Sequence, residues 1–109
     1  MFAAILFLLL GLMMCGISVP MLQGRVPRNY VYGFRTPKTL KNDHIWYLAN
    51  AFAGRAMLIA GGVIVLGSLL LLPIGWVFGN SIVATLGTAL VLVALGAAVI
   101  KSFAYLKRL

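Results

Sequence analysis

From Ala56 to Ile100 the chain carries no charged side chain. A helix rises about 1.5 Å per residue and needs about 20 apolar residues to cross the hydrocarbon core of a bilayer. A charge-free run of roughly 45 residues is about twice what one crossing uses, so two helices must share it. The division is expected across Pro73-Ile74-Gly75-Trp76 and Gly79-Asn80-Ser81. There the proline obstructs a helix, the glycines favour a turn, and Asn80 or Ser81 can cap the next N-terminus. Trp76 is then expected at headgroup level, where aromatic rings are enriched.

A separate charge-free run, Phe2 to Leu22, is long enough for another crossing. A signal peptide needs positive charge ahead of its apolar stretch. Here Arg25 and Arg28 follow it, so the run reads as an uncleaved first span. The expected fold is an all-α integral membrane protein with one membrane domain over 1–109 and spans at about 2–22, 56–72 and 81–100. Hydrophobic residues make up 63% and charged residues 9%, against about 25% charged in a soluble domain. One small soluble core could not hide that much apolar surface.

Nine Lys and Arg face a single acid, Asp43, for a formal charge of +8. The basic residues flank apolar runs and form no stripe on a polar element, which argues against nucleic acid. Arg25, Arg28, Arg35, Lys38, Lys41 and Arg55 fall between spans one and two, and Lys101, Lys107 and Arg108 follow span three. The positive-inside rule then predicts an outside N-terminus, a cytoplasmic 23–55 loop, an outside 73–81 loop and a cytoplasmic C-terminus. Cys15, the one cysteine, lies in an apolar run and is assigned to lipid or helix packing.

Within the basic loop, Gly24 to Tyr30 is expected to be extended or turned. A helix is predicted from Asn42, with Asn42 as N-cap, Asp43 in the first turn, and Ile45, Leu48 and Phe52 as its apolar repeat. It should lie at the inner interface and bend or run into span two. Ala53, Ala60 and Gly67 recur every seven residues, as do Ala89 and Gly96, giving stripes along which another helix can approach closely. The spans use these stripes on each other in one reading and for a homo-oligomer in another. Either way, Leu at Gly67 or Gly96 should disrupt packing more than Leu at Gly11.

Pro27-Arg28-Asn29-Tyr30-Val31-Tyr32-Gly33-Phe34-Arg35-Thr36-Pro37-Lys38-Thr39-Leu40, followed by Asn42-Asp43, Trp46, Asn50 and Gly54, closely resembles the signature of the SdpI family. These are bacterial membrane proteins named for immunity to a secreted toxic peptide. Some members carry additional spans and an N-terminal membrane region not found in these 109 residues. The resemblance implies a multi-pass bacterial plasma-membrane protein and marks Asn29, Gly33, Arg35, Thr36, Thr39, Asp43, Trp46 and Asn50 as the motif cluster.

The residues have their own chemistry. Gly33 permits a sharp turn, Arg35 offers a planar fork of donors, Thr36 and Thr39 can cap turns, and Pro37 can open a helix. Asp43, Trp46 and Asn50, spaced three and four apart, share one helix face. An Arg35–Asp43 ion pair beside Trp46 and Asn50 is the expected constellation. It serves either to shape the loop or to bind a partner.

Catalysis has little to stand on. His44 is the only histidine and Asp43 the only acid, with no metal cluster, no cofactor motif and no nucleophile beside a base. A proton-coupled transporter would keep ionisable groups at membrane depth. The leading expectation is a non-enzymatic protein of the bilayer giving resistance to a membrane-active toxic peptide. The alternative is a small accessory subunit that stabilises a larger membrane complex.

Overall fold

The computed structural model describes residues 2–29 and 32–109, and their regular structure is entirely helical. Helix α1 (Phe2–Leu22) is the first apolar run from end to end. It stops where Gly24 takes a φ of 70° and the N–H groups of Gly24 and Arg25 turn back onto the Met21 and Pro20 carbonyls. These are the paired bonds of a glycine C-cap. A five-residue helix, α2 (Pro37–Lys41), precedes two long ones, α3 (Asp43–Phe78) and α4 (Asn80–Arg108). Helices α1, α3 and α4 are each long and apolar enough to cross a membrane.

Helix α3 differs from the sequence expectation at its C-terminal end. Pro73 does not end it: the helix runs through Pro73 and Trp76, and the chain reverses at Gly79, with φ 95°. A proline removes one N–H from the ladder, which membrane helices accommodate. A positive φ excludes most side chains, so the turn falls on the glycine. Asn80 does not cap its own helix either. Gly79 is the N-cap of α4 with no side-chain bond, and Asn80 Oδ1 instead accepts the Ala3 N–H at 3.0 Å, closing the start of α1.

At its other end α3 begins at Asp43, capped by Asn42 as expected, whose side-chain oxygen accepts from the N–H groups of His44 and Ile45. Its 36 residues reach about 54 Å, well beyond a hydrocarbon core about 30 Å thick. The interfacial helix and span two are therefore one continuous rod. The buried face of its first turns is Trp46, Ala49, Asn50, Ala53 and Gly54. The predicted apolar repeat is not that face: Ile45 and Phe52 are half-buried and Leu48 is exposed. In a bilayer the large apolar side chains can face lipid, and small or internally bonded residues take the contact.

Packing follows the same logic. At the turn end, Ala3, Ala4, Leu71 and Val83 bring all three long helices together. Near the middle, Met14, Ala60, Ile64 and Ala98 do so again. Ser18, Ser68 and Ser102 are buried, each hydroxyl donating to the carbonyl four residues back in its own helix. Around this interior, Leu66, Leu70, Val93 and Ile100 are each at least 66% exposed, a surface that hydrocarbon can cover and water would not.

The closest helix contact is α1 on α3. A Cβ on Gly61 would stand 2.8 Å from Cys15 Sγ and 3.0 Å from the Gly11 carbonyl oxygen, and one on Gly54 would stand 2.7 Å from the Leu22 nitrogen. One on Gly11 would stand 2.9 Å from the Gly61 carbonyl oxygen, whereas Gly96 has nothing within 4 Å. Gly67 faces only the flexible tip of Leu90 on α4. The expected order of these glycines is thus reversed for Gly11 and Gly96. On α3, Ala53 and Ala60 are buried, but Ala89 is exposed and Gly96 only half-buried on α4. Leu at Gly11 or Gly61 should lower the thermal stability of the detergent-solubilised protein by the equivalent of about 1–3 kcal/mol or more. Gly96→Leu should change it by less than about 0.5 kcal/mol; an equal loss at Gly96 and Gly61 would refute this packing.

Candidate functional site

The segment between α1 and α3 crosses the basic end of the bundle and touches all three long helices. Its centre is a side chain of α3. The Asn50 carboxamide is 2% exposed; its Oδ1 accepts the Phe34 N–H at 2.6 Å, while its Nδ2 donates to the Trp46 carbonyl at 2.9 Å and the Phe34 carbonyl at 3.3 Å. One turn earlier, Trp46 is fully buried, and its Nε1 donates to the Val26 carbonyl at 2.9 Å. Two strands of the loop are thereby hung on two side chains four residues apart.

Gly33 shows why the motif needs glycine. Its φ is 112°, and a Cβ there would stand 2.6 Å from Asn50 Oδ1 and 3.3 Å from the Trp46 ring. Both the backbone angle and the space exclude a side chain. Beyond it, Thr36 caps α2 in a reciprocal box: Thr36 Oγ1 accepts the Thr39 N–H at 3.1 Å, and Thr39 Oγ1 accepts the Thr36 N–H at 2.8 Å. Pro37 occupies the first helical position, where no N–H is needed. The buried Thr39 hydroxyl also lies 3.1 Å from the Phe34 carbonyl, so one loop peptide is gripped by Asn50 and Thr39 together.

The rest of the loop reaches the neighbouring helices. Asn29 Oδ1 accepts the Tyr32 N–H at 2.6 Å, and its Nδ2 donates to the Pro27 carbonyl at 2.7 Å. The Tyr32 hydroxyl donates to the Ile17 carbonyl of α1. Phe34 meets Phe103 of α4 with ring centroids 5.1 Å apart, and Lys38 Nζ donates to the Leu106 carbonyl at 2.9 Å, a cation at a negative helix end. The Gly33-Phe34 wedge has a cleft on either side, about 320 Å³ toward α1 and about 270 Å³ toward α4. Tyr30 and Val31 of the motif lie outside the described residues.

One assignment changes. The chain's single acid pairs with Arg28, not Arg35: Arg28 Nε lies 3.3 Å from Asp43 Oδ1, and Arg28 Nη1 donates to the Leu40 carbonyl at 2.9 Å. Arg35 instead lines the cleft toward α4 with Gly33, Phe34 and Phe103. Asp43 opens α3 and Arg28 lies across the loop from it, a fold-back that helical spacing cannot show. The structure otherwise joins Gly33, Thr36, Thr39, Trp46 and Asn50 in one network, with Asn29 supporting the turn before it. Sequence reasoning quoted Phe34 in the signature but did not single out Phe34 or Val26 as site residues, because the bonds that Asn50 and Trp46 make to them go to backbone atoms that leave no mark in residue type. Among the described residues no buried side-chain nitrogen or oxygen lacks a partner, and no three metal-ligating residues are gathered.

Three membrane-length helices closed at one end by a basic, internally bonded loop define a polytopic α-helical membrane protein. The family model of the SdpI/YfhL protein family matches residues 25–104, and the chain belongs to that family. Over 82 residues it is 32% identical to "Immunity protein SdpI" of Bacillus subtilis (strain 168), covering 75% of this chain and 36% of that protein. The chain thus spans about a third of that relative's length. No solved structure matches it significantly.

Two predictions follow from the geometry. Asn50→Ala leaves the Phe34 N–H without its partner and the Phe34 carbonyl with Thr39 alone, at a cost of about 1–3 kcal/mol, and Gly33→Ala should act in the same direction. In both variants, protease cleavage within residues 24–42, or labelling of a cysteine introduced there, should rise while the helical signal is retained; unchanged protection would refute the role of the Asn50–Phe34 bonds in clasping the loop. The Arg28–Asp43 pair has side chains 41% and 66% exposed, so its coupling in a double-mutant cycle should not exceed about 1 kcal/mol. An Arg35–Asp43 cycle should be additive.

Proposed function

We propose that this chain protects a bacterial plasma membrane from a membrane-active toxic peptide and does so without catalysing a reaction. The observation that carries the reading is its 32% identity over 82 residues to a protein named for immunity, an overlap that must include much of the loop motif because it covers 75% of the chain. The chemistry fits a non-enzyme: the one acid is an exposed partner of Arg28, and the motif's polar atoms are spent on the chain's own backbone. In this reading Asn29, Gly33, Thr36, Thr39, Trp46 and Asn50 serve as scaffold, and Arg35 is the motif residue at the mouth of a cleft. Protection then works in the plane of the bilayer, by binding the peptide there or by occupying a site that the peptide needs.

The orientation that accompanies this reading puts the N-terminus and Gly79 outside, and the 23–42 loop and Leu109 in the cytoplasm, because every basic side chain lies toward the loop end. Reporter fusions at Leu109 and after Gly79 should report opposite compartments, and a common compartment for both would refute three crossings. Expression in a peptide-sensitive strain should raise survival under peptide challenge, and Asn50→Ala should lower that protection. Membrane-inserted protein that gives no protection and co-purifies with a large membrane complex would instead support the accessory-subunit reading.

A further inference from the structure

The two charges that bound the uncharged 56–100 stretch, Arg55 and Lys101, line one groove between α3 and α4, of about 340 Å³. Small residues on facing helices make it concave, among them Ala56 and Ala60 on α3 and Ala94 and Ala97 on α4. Beyond the cations, Phe52 stacks on Tyr105 with centroids 4.3 Å apart and planes 6° from parallel, bridging the two helices on the loop side of the cations. The groove opens sideways, since Ile59 and Val93 on its rims are 62% and 71% exposed. From Arg55 to Val63 the helix rises about 12 Å, most of the roughly 15 Å depth of one leaflet.

We propose that this groove holds one acyl chain of an anionic glycerophospholipid, with the lipid phosphate between Arg55 and Lys101. The charge complement selects the headgroup. Both cations stand where the apolar spans end, the chain's single acidic side chain is engaged by Arg28, and a zwitterionic lipid would bring a cation of its own toward them. The shape selects the tail, because the space beneath the cations is apolar and is reached from the bilayer, not from water. Basic pockets between helices on the cytoplasmic side hold lipid headgroups in this manner.

Native mass measurement of the full chain from mild detergent, with phosphatidylglycerol or phosphatidylcholine of identical chains added, tests the site. One phosphatidylglycerol should remain bound per chain and phosphatidylcholine should not. Arg55→Gln with Lys101→Gln should weaken retention about thirtyfold, from about fivefold per basic group. Lys41→Gln with Lys107→Gln, an equal loss of charge away from the groove, should change it less than about threefold. Ala97→Leu fills the groove from an exposed position and leaves both cations in place, so it too should release the lipid. Circular dichroism of each variant checks that its helices persist. Equal retention of the two lipids, an equal loss in the control pair, full retention in Ala97→Leu, or a lipid-free dimer that covers the groove would each overturn the proposal.

Discussion

The Asn50 carboxamide accepts the Phe34 N–H and donates to the Phe34 carbonyl, so both backbone groups of one loop residue are satisfied by a helix side chain much as they would be by a neighbouring strand. At a membrane boundary that bond has unusual leverage. A peptide group pushed toward hydrocarbon without a partner costs several kcal/mol, and a loop crossing the end of three apolar helices has few other partners to offer. Once Phe34 is pinned, its ring reaches Phe103, its carbonyl receives Thr39, and Gly33 must adopt a φ that carries the chain past the Trp46 ring. Helix α2 and the Lys38 contact with the end of α4 follow from the same fixed point.

The helices below that clasp obey a different economy. Lipid tails are as apolar as leucine, so helices gain little by hiding large side chains from them, and association relies on close backbone approach. Gly11, Gly54 and Gly61 supply it between α1 and α3, with Cys15 filling the space beside Gly61. Helix α3 is central because it presents one narrow face to α1 and another, through Gly67, to Leu90 of α4. Its length does the rest: the same rod that spans the apolar core carries Trp46 and Asn50 up to the loop, so the order of the bundle and the order of the loop are mechanically joined.

How much of this can be read from residues alone depends on the range of the interaction. Span count follows from charge-free length, and the Thr36 and Asn42 caps from local chemistry, so these were visible in the sequence. Pro73 misled because membrane helices accommodate an internal proline through neighbouring groups and local backbone adjustment, so the turn waits for Gly79. The Ile45, Leu48 and Phe52 repeat predicted the helix that forms there but does not mark its packed face, because in a bilayer large apolar side chains can face lipid. Asn80 and Asp43 were recognised as cap and ion-pair residues, but their partners, Ala3 and Arg28, are set by how the chain folds back. The motif residues were legible as a group; the two residues they act on, Phe34 and Val26, contribute backbone atoms that any residue possesses.

The distribution of charge then limits what the folded surface can recognise. Among the described residues the motif's neutral side chains bond to the chain's own backbone, and the one carboxylate is held by Arg28. What remains on the outside is a ring of cations above broad apolar helix faces. Such a surface cannot select a partner by an array of neutral hydrogen bonds, and it repels basic headgroups and peptides alike where it meets water. On the proposal above it discriminates among molecules that are themselves embedded in the bilayer and carry negative charge at the headgroup level, by matching tail to groove and anion to Arg55 and Lys101. In the reading proposed above, recognition is lateral: the partner is already in the membrane, reduced to two dimensions and oriented by its own amphipathic structure. Modest contacts then suffice, because much of the translational and orientational cost of binding has been met when the partner enters the bilayer.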